Sequence, residues 1–115
     1  MTVQVAIEGN LTRDPELKFT PNGAAVCNFG VAVNKKVKEG DKWVDGPVSF
    51  YNIAAWRQLA EDAAQLSKGN KVLVIGQLDI RQWEGTEGHK NTSVDITADS
   101  IGTSILFSSK EDTRD

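Results

Sequence analysis

One cysteine, one histidine, one methionine and one tyrosine are all that 115 residues hold of those types. Cys27 alone cannot form an intrachain disulfide, and with His89 as its only histidine the chain is nearly barred from Cys/His zinc sites and Cys–His catalytic pairs. It has no phosphate-cradling G-x-x-x-x-G-K loop and no plausible pair of carboxylates in a cleft, so no enzyme, metal or cofactor is expected. No apolar run approaches the length that spans a bilayer, and MTVQVAIEG lacks the basic and apolar regions of a signal peptide. A soluble, cytoplasmic protein is therefore expected. Positive charge is not in excess either: 13 Lys and Arg face 16 Asp and Glu, a net charge of −3 that by itself argues mildly against an acidic partner.

What remains suits one domain, since 115 residues are enough for one core and too few for two of ordinary size. Val3, Val5 and Ile7 alternate with polar neighbours as a first strand, and residues 11–23 read as a hairpin arm with turns at Asp14-Pro15 and Pro21-Asn22-Gly23. Ala25, Cys27, Phe29, Val31 and Val33 line one side of a second strand. Residues 35–47, rich in charge and glycine, read as a long exposed loop before a third strand. On that strand Tyr51, Ile53 and Ala55 share one side, while Phe50, Asn52, Ala54 and Trp56 share the other. Helical spacing follows over residues 57–69, with Leu59, Ala63 and Leu66 on one stripe and Lys68-Gly69 as its stop. KVLVIGQLDIRQW is a fourth strand, WEGTEGHKNT a polar loop, and SVDITADSI a fifth strand with Val94, Ile96 and Ala98 inward. Five short strands with one helix between the third and fourth predict an all-β chain with the OB-fold, a partly open Greek-key barrel, over residues 1–106. Gly76 would allow the bend such a barrel needs, and residues 107–115 are expected to be a disordered tail.

Alternation also places large rings away from the core. Phe50, Trp56 and Trp83 fall on outward faces, and Trp43 lies in the loop before the third strand. Beside them stand Lys35, Lys36, Lys38 and Lys42 in the loop, Arg57 next to Trp56, and Arg81 two residues before Trp83. One isolated outward ring more often covers a barrel end or a subunit contact. Several rings among cations suit single-stranded nucleic acid, whose phosphates are neutralised while its bases stack at about 1–3 kcal/mol each. Against this, Glu39, Asp41 and Asp45 make the loop lysines readable as a solvated surface. Spacing alone therefore leaves nucleic acid, a protein and an oligosaccharide open as ligands. Thirteen acids against eleven bases remain through residue 106, so binding would need segregated charge, with Glu61, Asp62, Asp95 and Asp99 facing outward; Asp79, on the face of Arg81, fits this poorly. Cys27, on an apolar face, reads as a small buried hydrophobe, with a bridge between two copies as the alternative.

GNLTRDPE, TPNG, AVN, the W-x-x-x-A-E of residues 56–61, Lys68-Gly69 and the G-Q-L-x-x-R-x-W of residues 76–83 occur in this order along nearly all of residues 3–105. In these pieces the chain resembles the bacterial single-stranded DNA-binding protein family. The resemblance implies an OB-fold protomer of a homotetramer that binds single-stranded DNA without sequence preference in replication, recombination and repair, associated with the nucleoid. It implies stacking by Phe50, Trp56 and Trp83, with Trp43 in place of a loop aromatic whose alignable position is near Val37, and basic contacts from Arg13 and Arg81. Lys35, Lys36 and Arg57 join these through proximity to the rings. An OB-fold adaptor or an RNA-binding module is the alternative. Full-length members carry a linker and an acidic tail that recruits other enzymes; this sequence stops at KEDTRD, which makes recruitment of replication and repair proteins doubtful.

Overall fold

Period-two alternation decides where the core lies. In the computed structural model, which describes residues 3–105, the strands are β1 (Val3–Leu11), β2 (Glu16–Phe19), β3 (Ala25–Glu39), β4 (Lys42–Trp56), β5 (Lys71–Glu84) and β6 (Lys90–Thr103). One helix, α1 (Gln58–Ala63), sits between β4 and β5, as an OB-fold requires. The sheet runs β1-β5-β6-β4-β3-β2, and pairing of Asn10 and Leu11 of β1 with Ala32 and Val31 of β3 closes the barrel. At this closure a Cβ on Gly9 would lie 2.3 Å from the Ala32 carbonyl oxygen, so only glycine lets the two strands approach. The proposed tail, residues 107–115, lies outside the described residues.

Every second residue of β3 from Ala25 to Val31 is buried, and opposite them stand Ile53 and Ala55 of β4. Val72 and Val74 of β5 and Ile96 and Ala98 of β6 complete the interior. Burying Phe29, Ile53 or Ile96 fully contributes about 1.5–3 kcal/mol each. Cys27 is wholly buried in this cluster, and burial pushes its thiol pKa up. A bridge between two copies would need its sulfur at the surface, so the buried-hydrophobe reading holds.

Three boundaries differ from the expectations. The supposed loop over residues 35–47 is a hairpin: β3 and β4 continue pairing to Glu39 and Lys42, and only Gly40, with φ of 65°, and Asp41 form the turn. Here Val37 faces Val44, and Lys36 Nζ lies 2.5 Å from Asp45 Oδ1, so charged cross-strand partners continue the ladder without a hydrophobic alternation to announce it. The loop after Trp83 shortens in the same way, with Trp83 facing Asn91 and a single 3₁₀ turn at Thr86–Gly88. The helix, in contrast, ends at Ala63. Beyond it the backbone finds other partners: Lys68 N–H donates to Asp14 Oδ1 at 2.8 Å, Gly69 N–H to the Leu11 carbonyl at 2.8 Å, and Ser67 N–H to Asn70 Oδ1 at 2.8 Å. The apolar stripe survives the shortening, since Ala60 and Ala63 are buried and Leu59 and Leu66 pack on the core.

Candidate nucleic-acid interface

The same alternation that fills the core turns the other side of β4, β5 and β6 into a concave face. Phe50 is 66% exposed, Trp43 65%, Trp83 48% and Trp56 42%, so none of these rings serves the barrel interior. A groove of about 530 Å³ is lined by Arg13, Lys18, Asn52, Trp56, Arg81 and Asp95, among others.

Cross-strand pairing fixes which side chains meet, because directly opposed residues share a face. Lys18 faces Val26, which faces Trp56, so the lysine of the short strand β2 stands in line with a ring. Phe50 faces Ala32. Gly30 faces Asn52, whose parallel partner is Asp95, which in turn faces Asp79. A Cβ at Gly30 would lie 2.9 Å from Arg13 Nη1, so the missing side chain is what admits the Arg13 guanidinium.

Trp43 reaches this face through an irregularity. Between the pairs Asn34–Val48 and Lys36–Asp45, β3 advances two residues and β4 three, a β-bulge. Gly46 accommodates it, since a Cβ there would meet Val37 Cγ1 at 2.9 Å. Beyond the bulge Lys38 faces Trp43, and β3 alternation carries Lys36 and Lys38 on the side of Asn34. Odd-numbered Trp43 thus joins even-numbered Phe50 and Trp56, while Lys35 falls on the opposite side of β3. Val37, one step from Lys38, faces Val44 on the opposite side of the arm from the Trp43 ring.

Arg57 links Trp56 to the helix. Its φ of 61° and ψ of −127° are those of a glycine, and its carbonyl accepts from Ala60 N–H and Glu61 N–H at 3.0 and 3.2 Å. Arg57 is exposed and directly follows Trp56 in the chain.

Charge is less segregated than expected. Asp95, placed outward by the sequence reading, lies in the groove and is the hub of a network. Arg81 Nε donates to Asp95 Oδ2 at 2.6 Å, and Ser93 Oγ donates to Asp95 Oδ1 at 2.8 Å. Asn52 Nδ2 donates to Ser93 Oγ and Asp95 Oδ1 at 3.0 and 3.2 Å. Partial burial opposes ionisation of Asp95, but the hydrogen bonds from Ser93, Arg81 and Asn52, with the charge of Arg81, outweigh it and hold the carboxyl below its usual range. Arg81 Cζ also lies over the Trp83 ring, 5.6 Å from its centroid. The sequence places Lys38 beside the rings and Asn52 on the outward side of the third strand without assigning either a contact, and it does not single out Lys18 or Ser93. Lys18 carries no signal beyond charge, and the Asn52–Ser93 link becomes visible only once β4, β5 and β6 are paired in register.

The profile of the Single-strand binding protein family matches residues 2–104. The chain belongs to that family. Among curated relatives, a "Single-stranded DNA-binding protein" of Paenarthrobacter aurescens is 41% identical over 90% of this chain and 62% of its own length. One of Mycolicibacterium smegmatis is 42% identical over 90% of this chain and 64% of its own length. The chain thus spans about three-fifths of the length of these relatives. Among solved structures, a small single-stranded DNA-binding protein from Streptomyces coelicolor superposes with a TM-score of 0.82 at 31% identity, over 91% of this chain and 96% of the other. Within a single-strand binding family member, the outward rings Phe50, Trp43, Trp56 and Trp83 are the feature that neither core packing nor barrel closure explains.

Proposed function

We propose that this protein binds single-stranded DNA without sequence preference and protects it during replication, recombination and repair, acting by binding and not by catalysis. The observation that carries this reading is a groove in which Trp56 meets Arg13, Lys18 and Arg81, with Phe50, Trp43 and Trp83 exposed on the same outward side of the paired strands, in a chain of this family. Phe50, Trp56, Trp83 and Trp43 offer π-faces to successive bases, which any base can use. Arg13 and Lys18 in the groove and Lys36 and Lys38 on the hairpin neutralise phosphates, joined by the exposed Arg57 that follows Trp56, while Lys35 adds charge from the far side of the hairpin. Lys36 is shared with Asp45 and Lys18 with Glu16, which lowers the number of free cations and predicts a modest salt dependence.

A homotetramer forms part of the proposal. Leu73 and Ile75 of β5 are outward and nearly half exposed, and the outer edge of β1 from Val3 to Ile7 has no strand partner among the described residues. An apolar outer face beside an open edge favours association with further copies.

Titration of tryptophan fluorescence with oligo-dT at several salt concentrations, with duplex DNA of equal length as competitor, tests the function. Saturable quenching that weakens with salt and resists duplex is expected. A folded protein without quenching would reassign the rings to a protein interface.

A further inference from the structure

Arg81 invites the simplest assignment, a phosphate ligand, and its surroundings argue against it. The guanidinium donates through Nε to Asp95, its Nη2 lies 3.5 Å from Ser93 Oγ, and its Cζ lies over the Trp83 ring, 5.6 Å from the centroid. Its charge is already matched by Asp95, and Asp79 is the direct cross-strand partner of Asp95. Two carboxylates against one guanidinium make this part of the groove a poor place for a phosphate. It is a good place for holding a ring. Asp95 is itself fixed from three strands: by Asn52 of β4, by Arg81 of β5 and by Ser93 beside it on β6.

We propose that Asp95 is a positioning residue for nucleic-acid binding, clamping the Arg81 guanidinium on one face of Trp83 so that the other indole face is presented to a base. Arg81 then serves as the backing of the ring, and the Asn52–Ser93–Asp95 network sets its place. This deepens the stacking role given to Trp83 and rests on that reading. The chemistry favours Arg at position 81, because a planar guanidinium both pairs with a carboxylate and lies flat on an indole, which an ammonium does not.

The two roles for Arg81 predict opposite results. As a phosphate ligand restrained by an acid, it would be released in Asp95→Asn, so binding would tighten and the logarithmic salt slope would steepen by about 0.7. As the backing of Trp83, it is misplaced in the same variant. Binding of oligo-dT should then weaken about three- to tenfold at unchanged salt slope, as expected for losing a cation–π contact and its ordering. Arg81→Lys and Arg81→Ala should weaken binding to a similar extent, again without changing the slope, and combining Asp95→Asn with Arg81→Ala should add little. In a background of Trp43→Phe and Trp56→Phe, the remaining Trp83 emission in the free protein should lose anisotropy when Asp95 is replaced. Far-UV circular dichroism verifies folding of each variant, and Arg81→Lys, an exposed change that keeps the charge, carries the test if Asp95→Asn proves unstable.

Tighter or unchanged binding by Asp95→Asn, full activity of Arg81→Lys, or a slope reduced by about 0.7 in Arg81→Ala overturns the proposal. Trp83→Ala separates the two levels. If it leaves affinity unchanged, the stacking role of Trp83 itself fails; if it weakens binding while Asp95→Asn does not, only the clamp fails.

Discussion

Asp95 shows how a single side chain in this groove couples charge to stability. Its carboxyl ionises more readily in the folded chain than in the unfolded one, where its value is near 4. The stabilisation is therefore fully present above that unfolded value and is lost as pH falls through the lower folded one. Urea unfolding followed between about pH 5 and 2.5 should show a loss of stability across this window, and the loss should be smaller in Asp95→Asn. Equal acid sensitivity in the two proteins would place the titrating groups elsewhere. At this scale the sequence was informative about rings and uninformative about partners. Phe50, Trp56 and Trp83 follow from parity within one strand, whereas the Asp95 bonds depend on three strands being in register. Lys35 and Lys36 were indistinguishable by composition, and one step along β3 puts them on opposite sides.

At the scale of elements, the junction between β4 and α1 carries conformational strain. Arg57 holds a backbone geometry in which a Cβ costs about 1–3 kcal/mol, and glycine would remove that cost at an entropic charge of about 0.5–1 kcal/mol. Arg57→Gly should therefore stabilise the fold by roughly 0.5–2 kcal/mol, raising the melting temperature by several degrees, while weakening oligo-dT binding through loss of a cation. Arg57→Ala, which keeps the Cβ, should weaken binding without the gain in stability. Calorimetry and the fluorescence titration read the two effects separately, and a Gly variant no more stable than the Ala variant would show the turn to be unstrained. The elements also mark the limits of pattern reading. The interior halves of β3 and β4 announce themselves by alternating apolar residues, but their outer halves are charged on both sides and look like a loop. Helical periodicity ran on past Ala63 because Leu66 does pack inward, although the backbone there is bonded to Asp14 and Leu11.

For the whole molecule, the barrel leaves apolar surface uncovered on the outward face of β5, at the end of the strand remote from Arg81 and Trp83. Leu73 and Ile75 face outward on β5, opposite Glu8 and Ala6 of β1. If this face joins copies into the proposed homotetramer, Ile75→Glu should yield smaller species by light scattering while the isolated chain keeps its circular dichroism. A protein that remains tetrameric with this substitution would move the contact to another surface. The order of strands and the position of the helix were legible because each core strand advertises its inner side. How copies meet was not, because an outward Leu or Ile in a strand whose other face is buried reads as part of one continuous hydrophobic run.

The extra residue that β4 carries opposite β3, near Gly46 and Pro47, has a consequence for how this arm tolerates change. Without it the ladder would count two residues on each side between neighbouring pairs, and Lys38 and Trp43 would remain partners on the same side as Asn34. Length and sidedness are thus decoupled at that point. Loss of that one residue would change the curl of the arm, yet leave the same chemistry turned toward the groove.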